Sequence, residues 1–352
     1  MSGYTSIIDA TPAFVAGTFD AKDVRLAAIG NALPGLFASG HLAVTQRAAG
    51  ANMSVDVGAG QCFVDPGAVA YQGPYVVRND ASFNTLSDGG YAWTAADATN
   101  PRIDLLCIEV ADTDFSGSYT GWKLRIVDGT PNAGATHQLE AAYWPAVPTG
   151  CVPIAAIRIP ASDTTIGTAE ITNLNPIGGV GRSAARYTTT AETTTSATSA
   201  RLATPDALLV YVPSTSAVVR LYAELHWKIS VASGTQNANL FIDGAALKYR
   251  NGTNGAPAAG AGKSITSLST FYGRLSTVSD LTSTLFSGTA GATADVTDIT
   301  TGVCGAPAAG GALGPITISQ LSAGWHLFEL RFSTSANTLS VRERRMSAEV
   351  IG

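Results

Sequence analysis

Charge is scarce in this chain. Only 13% of its 352 residues are Asp, Glu, Lys or Arg, and the net charge is -5. No long basic run occurs, which argues against nucleic acid as a partner. Long apolar runs are also missing. None reaches the ~20 residues of a membrane-spanning helix, so no membrane insertion is expected. The opening residues Met1-Ser-Gly-Tyr-Thr5 carry no basic region followed by an apolar core. No secretory signal is therefore read, and a soluble protein made in a cytoplasm is expected.

Chemistry-bearing residues are few and scattered. The four cysteines are Cys62, Cys107, Cys151 and Cys304, with no CxxC pair. They read as reduced, small apolar fillers; a Cys62–Cys107 or Cys107–Cys151 disulfide is the alternative. His41, His137, His226 and His326 lie far apart, without HExxH or other metal spacing. His226 and His326, each beside a tryptophan on a strand, read as interface or surface residues. There is no GxSxG elbow and no catalytic Cys/His signature. Gly262-Lys-Ser264 resembles the tail of a phosphate-binding loop, but Pro257 stands where that pattern needs glycine. Asp112, Asp114 and Ser116 offer oxygens in one turn, yet a plain acidic turn is the simpler reading, since the EF-hand pattern is absent. Asp243 and Asp280 have no evident carboxylate partner, which a glycosidase would need. No enzyme, no cofactor and no metal is expected.

What is present is β-strand pattern. Residues 103–110 are almost wholly apolar, as in a strand covered on both faces. Residues 122–128 alternate: Trp122, Leu124 and Ile126 on one face, Lys123 and Arg125 on the other. The two make a hairpin-like pair around an acidic turn. Further strands are expected at 53–57 and 61–64, joined through Gly58-Ala-Gly60, and at 68–71 and 75–78. Glycine at such joints supplies the positive φ of tight turns. Residues 151–160 and 171–177 complete this half. One helix is expected, over 20–33, capped by Asp20 and stopped by Pro34-Gly35.

Residues 182–205 are Ser/Thr-rich with almost no large apolar side chain. They read as an interdomain linker, with an extended strand packed between subunits as the alternative. Beyond them, 219–231 gives the cleanest period-two pattern in the chain. Strands at 207–212, 239–243, 246–250, 316–321, 325–333 and 338–350 complete a candidate jelly-roll sandwich. The hexapeptide Gly-Ala-Pro-Ala-Ala-Gly occurs twice, at 255–260 and 305–310, in an insertion that reads as surface loops. Near it, Tyr249, Arg250, Asn251, Asn254 and Tyr272 combine aromatic, amide and basic groups suited to sugar stacking and hydroxyl bonding. They are the candidate glycan-binding set; ordinary loop residues are the simpler reading. Arg342, Glu343, Arg344 and Arg345 are candidates for subunit contacts.

An ordered series of motifs carries a family resemblance. It comprises Leu42-Ala-Val-Thr-Gln46, Met53-Ser-Val-Asp-Val-Gly-Ala-Gly60, Ala96-Asp-Ala-Thr-Asn-Pro-Arg-Ile-Asp104 and Trp122-Lys-Leu-Arg-Ile-Val127 with Gly129-Thr-Pro131. Val152-Pro-Ile-Ala-Ala-Ile-Arg-Ile-Pro160 and Ile171-Thr-Asn-Leu-Asn-Pro176 follow. The stretch resembles the minor tail proteins of phages infecting actinobacteria. The resemblance implies a virion component at the tail tip or baseplate, made in the host cytoplasm and docked to other tail proteins. Gly324-Trp-His-Leu-Phe-Glu-Leu330 and its surroundings resemble trimeric C1q or tumour-necrosis-factor jelly rolls in pattern only. That analogy implies a homotrimer. The tail-protein resemblance, whose members carry varied C-terminal domains often implicated in host binding, implies host attachment, with a cell-surface glycan as the ligand that the candidate set suits. The expected organisation is mainly β. It has an N-terminal segment with a helix (1–40), a docking domain (41–181), a linker (182–205) and a C-terminal sandwich (206–352).

Overall fold

The chain divides into two units, Met1–Arg182 and Ser183–Gly352, both mainly β and built from antiparallel sheets. The computed structural model describes residues 30, 32–67, 72–115, 117–179, 183–229, 236–246, 250–251, 281–285, 294–299, 302–305, 316–319, 321–334 and 338–351. The expected helix over 20–33 and the expected strand 68–71 lie outside these residues, apart from a few positions at the end of the helix.

The first unit runs β1 (Gly35–Leu36), β2 (Val44–Gln46), β3 (Val55–Val57), β4 (Gly60–Val64), β5 (Tyr75–Asn79), β6 (Phe83–Asn84), β7 (Arg102–Ala111), β8 (Gly121–Val127), β9 (Cys151–Ile159) and β10 (Ile171–Asn173). Its largest sheet has the order β10-β9-β7-β8. The expected hairpin is present: Leu105 to Ala111 pair in register with Val127 to Gly121. β9 covers the other edge of β7. That central position explains why Ile103, Leu105, Leu106, Cys107 and Ile108 are all fully buried: both faces and both edges of β7 are occupied.

The joint at Gly58-Ala-Gly60 differs from the expected hairpin. β3 pairs with β2 and β6, whereas β4 pairs with β1 and β5. The turn hands the chain from one sheet to another. Gly60, at φ 157°, lies so close to the backbone of His41 and Leu42 that a Cβ would not fit. Gly58 donates its N–H to the Ala43 carbonyl at 2.8 Å. Glycine is used here for close backbone approach, not for a tight reversal.

The second unit runs β11 (Ser183–Thr188), β12 (Glu192–Thr194), β13 (Asp206–Val212), β14 (Val218–Ile229), β15 (Gln236–Ile242), β16 (Ala245–Ala246), β17 (Arg250–Asn251), β18 (Leu281–Leu285), β19 (Ala294–Ile299), β20 (Gly302–Gly305), β21 (Ile316–Ser319), β22 (Gly324–Thr334) and β23 (Leu339–Ile351). One sheet has the order β11-β23-β14-β21-β20-β19-β17, with β12 also on β23 and β18 also on β14. The other has the order β13-β22-β15-β16. The first strand pairs with the last, and the second sheet pairs β13 with the penultimate strand. That is the wrapping of a jelly roll.

The sheets face each other through one parity of residues. Leu208, Val210 and Val212 of β13, Phe328, Leu330 and Phe332 of β22, and Met346, Ala348 and Val350 of β23 are all buried. The stretch expected as a linker belongs to this sandwich. Ser183 to Thr188 pair residue by residue with Glu349 to Arg344, and Glu192 to Thr194 with Val341 to Leu339. Its small side chains build no core of their own. Backbone pairing with the long last strand, β23, supplies what they lack.

Candidate functional site

The glycan-binding set is not assembled among the described residues. Tyr249, Asn254 and Tyr272 lie outside them. Arg250 and Asn251 form β17, opposite Asp295 and Ala294, and only their backbones are described. The possible calcium turn is internal scaffolding. Asp112 is buried and accepts the Tyr75 hydroxyl at 2.6 Å on one carboxylate oxygen and the Asp114 N–H at 3.0 Å on the other. Ser116 lies outside the described residues. No group of three or more His, Cys, Asp or Glu that could hold a metal occurs among the described residues.

The arrangement nearest to a catalytic constellation is one that sequence reasoning missed. His326, read as a surface or interface residue, is buried on β22. Its parity with Phe328, Leu330 and Phe332 is the signal that could have placed it inside. Its Nδ1 lies 2.7 Å from Asp243 Oδ2, and its Nε2 lies 3.3 Å from Ser322 Oγ. Asp243, which had no evident partner in the sequence, therefore has one. Three such side chains invite comparison with a hydrolase triad, but a second contact decides against it. His326 Nε2 is 2.8 Å from the carbonyl oxygen of Ser322. A carbonyl only accepts, so Nε2 carries a proton and is not a free base. Nδ1 faces a carboxylate and carries one too. Burial alone lowers the His326 pKa, but the Asp243 hydrogen bond and charge, with the Ser322 carbonyl, outweigh it and hold the pKa above its ordinary value. Both ring nitrogens thus face acceptor oxygens, an arrangement that suits the doubly protonated ring.

A second cluster lies between the two sheets. Arg344, a candidate for subunit contacts, is internal: its side chain is 1% exposed. Nε lies 2.7 Å from Asp206 Oδ2. Nη1 donates to the carbonyls of Thr190 and Val341, and Nη2 to that of Thr204. Glu192 stands 3.7 Å from Nη2 and accepts the Thr204 N–H at 2.9 Å. Burial pushes the Asp206 carboxyl up, and the Arg344 and Arg186 charges pull it back without fully compensating. On the opposite face of β22, Glu329 is buried between Arg201 and Arg331, and the Arg331 guanidinium lies 4.1 Å over the Phe241 ring.

The first unit repeats the device. Arg102 and Asp104 are both buried. Arg102 Nε donates to Asp104 at 2.9 Å, while Nη1 and Nη2 donate to the carbonyls of Ala95 and Thr94. Asp104 Oδ1 also accepts the Gly129 N–H at 2.8 Å. Burial raises the Asp104 carboxyl despite these bonds. The pair fixes the loop before β7 and the turn after β8.

No protein-family model and no curated protein matches this chain. Among solved structures, the chain aligns to one described as the structure of infectious bursal disease virus Gx strain. The identity is 10%, over 87% of this chain and 73% of that one, and the TM-score is 0.21. A likeness at that level carries no argument about function.

Proposed function

We propose that the chain is a structural component of a phage tail tip or baseplate. Its first unit docks to other tail proteins, and its second presents a β-sandwich for attachment to a host surface glycan. The observation that carries this reading is the construction of the second unit. It is a two-sheet sandwich whose buried ion pairs end on neighbouring backbone groups, so the charges stiffen the scaffold. Rigidity suits a presented head. Several weak contacts held on one stiff, multi-copy support add through effective concentration. The ordered motif series over residues 41–181 supports membership of a tail. The homotrimer in this reading rests on the pattern likeness of residues 324–330 to trimeric jelly rolls.

The test uses particles lacking residues 183–352, together with the isolated 183–352 fragment. The reading expects intact particles whose adsorption falls at least tenfold, and a trimeric fragment that binds host cells. Unchanged adsorption by the truncated particles would favour a purely structural baseplate subunit. Release of reducing ends from host wall polysaccharide would favour a glycan-degrading enzyme.

A further inference from the structure

His326 ties together two places that are far apart in sequence. Asp243 follows the last residue of β15, where the chain leaves the β13-β22-β15-β16 sheet's central strands. Ser322 lies just before β22, where the chain returns. The strands β16 to β21 lie between them in the chain. At the departure point Asp243 holds φ 51°, a left-handed conformation uncommon for a residue with a side chain. It is locked there by three bonds. Its N–H donates to the Leu327 carbonyl at 2.9 Å, its Oδ1 accepts the Leu327 N–H at 2.8 Å, and its Oδ2 meets His326 Nδ1 at 2.7 Å. At the return point the Ser322 carbonyl meets His326 Nε2 at 2.8 Å.

We propose that His326 is a protonation-controlled clasp: as an imidazolium it holds the Asp243 turn that ends β15 and the Ser322 segment that opens β22, and it lets go of one of them when it becomes neutral. The reason is the donor count. The two closest partners of the ring, the Asp243 carboxylate and the Ser322 carbonyl, are pure acceptors, with the Ser322 hydroxyl farther off at 3.3 Å, and a neutral imidazole has one N–H. Whichever nitrogen loses its proton then turns a lone pair towards a carboxylate or a carbonyl. A part-buried contact becomes a repulsion.

The neighbouring charges leave Asp243 as the governing partner. On β13, Val210 lies opposite His326, and Asp206 is engaged by Arg344. β15 brings no charged residue within its own length. On β22 itself, Glu329 and Arg331 pair with each other and Glu329 with Arg201. The sign follows. The folded-state pKa lies above the ordinary value of 6.5. The clasp's contribution is therefore complete below pH 6.5 and is lost as pH rises through the folded-state pKa.

The experiment is a pH titration of the full chain by NMR, with hydrogen exchange at the Leu327 and Asp243 amides corrected for intrinsic rates. The His326 ring should titrate with a midpoint above 6.5, and protection of both amides should fall at least tenfold across that midpoint. In His326→Gln the step in protection should vanish. In Asp243→Asn, which keeps the size of the side chain, the ring midpoint should drop by a unit or more. A wild-type midpoint at or below 6.5 would overturn the clasp. So would protection that is flat through the titration, or an equal step in His326→Gln. The wild-type arm and Asp243→Asn decide the matter even where His326→Gln fails to fold.

Discussion

The guanidinium of Arg344 sits 2.7 Å from the carboxylate of Asp206, with the two side chains 1% and 3% exposed. It also bonds three backbone carbonyls, two of them in the segment that precedes β13. One residue of the last strand thus holds the first strands of the unit, its own strand and β13 together. Replacing Arg344 by Met leaves the buried Asp206 carboxylate with only the Arg186 charge and the Thr188 side chain to offset its burial. The expected loss is about 3–5 kcal/mol for the second unit, read by urea denaturation of the full chain. Arg344→Met combined with Asp206→Leu should recover part of that loss, because the stranded charge is then gone.

The domain boundary at Ser183 gives the second prediction. A fragment of residues 183–352 should fold cooperatively. A fragment starting at 207 should not, since it lacks β11, β12 and the Thr190 and Thr204 carbonyls bonded by Arg344. Near-ultraviolet circular dichroism and size-exclusion chromatography of the two fragments check this. Equal folding of both would show that 183–205 is dispensable.

Gly129 gives the third. A Cβ there would stand 2.9 Å from the Ile103 carbonyl carbon and closer still to its oxygen. Gly129→Ala must therefore push the turn off β7 and lengthen the bond from the Gly129 N–H to Asp104. A destabilisation of about 1–3 kcal/mol is expected, measured by denaturation. Gly90→Ala is the contrast: its Cβ would meet nothing within 4 Å, so only the positive φ of 70° is at stake, at about 1 kcal/mol.

The cysteines give the fourth. Cys62, Cys107 and Cys151 are buried and form no disulfide. Burial pushes the Cys62 and Cys107 thiols far above the usual range and the Cys151 thiol up to about 11. The thiolate is the reactive species. At pH 7 an alkylating reagent should leave all three unmodified in the folded chain and label all three in denaturant, as read by peptide mass mapping. Labelling of Cys107 or Cys151 at native rates near those in denaturant would contradict the packing of β7 against β9.

How much of this was legible from residues alone depends on the kind of order involved. The apolar run at 103–110, the alternation at 122–128 and the strand read at 325–333 placed β7, β8 and β22, because each is a local pattern that holds whatever lies beside the strand. The same parity marks His326, Asp206 and Arg344 as inward-facing, a signal easily overruled by the habit of placing charged residues outside. The glycan candidates from Tyr249 to Tyr272 gained no assembled site, since their stretch lies largely outside the described residues.

By itself the sequence determined that this protein is mainly β, where most of its strands run, and that the apolar run at 103–110 is covered on both sides. Only the tertiary structure decided which strands are neighbours. It placed Gly58 to Gly60 between two sheets, drew 183–194 into the sandwich, and brought Arg344 to the Thr204 carbonyl 140 positions away. Local periodicity reports which face a residue occupies, and it is silent about what stands opposite. A buried charge finds its partner only when two sheets close over it, and that closure is a property of the whole chain.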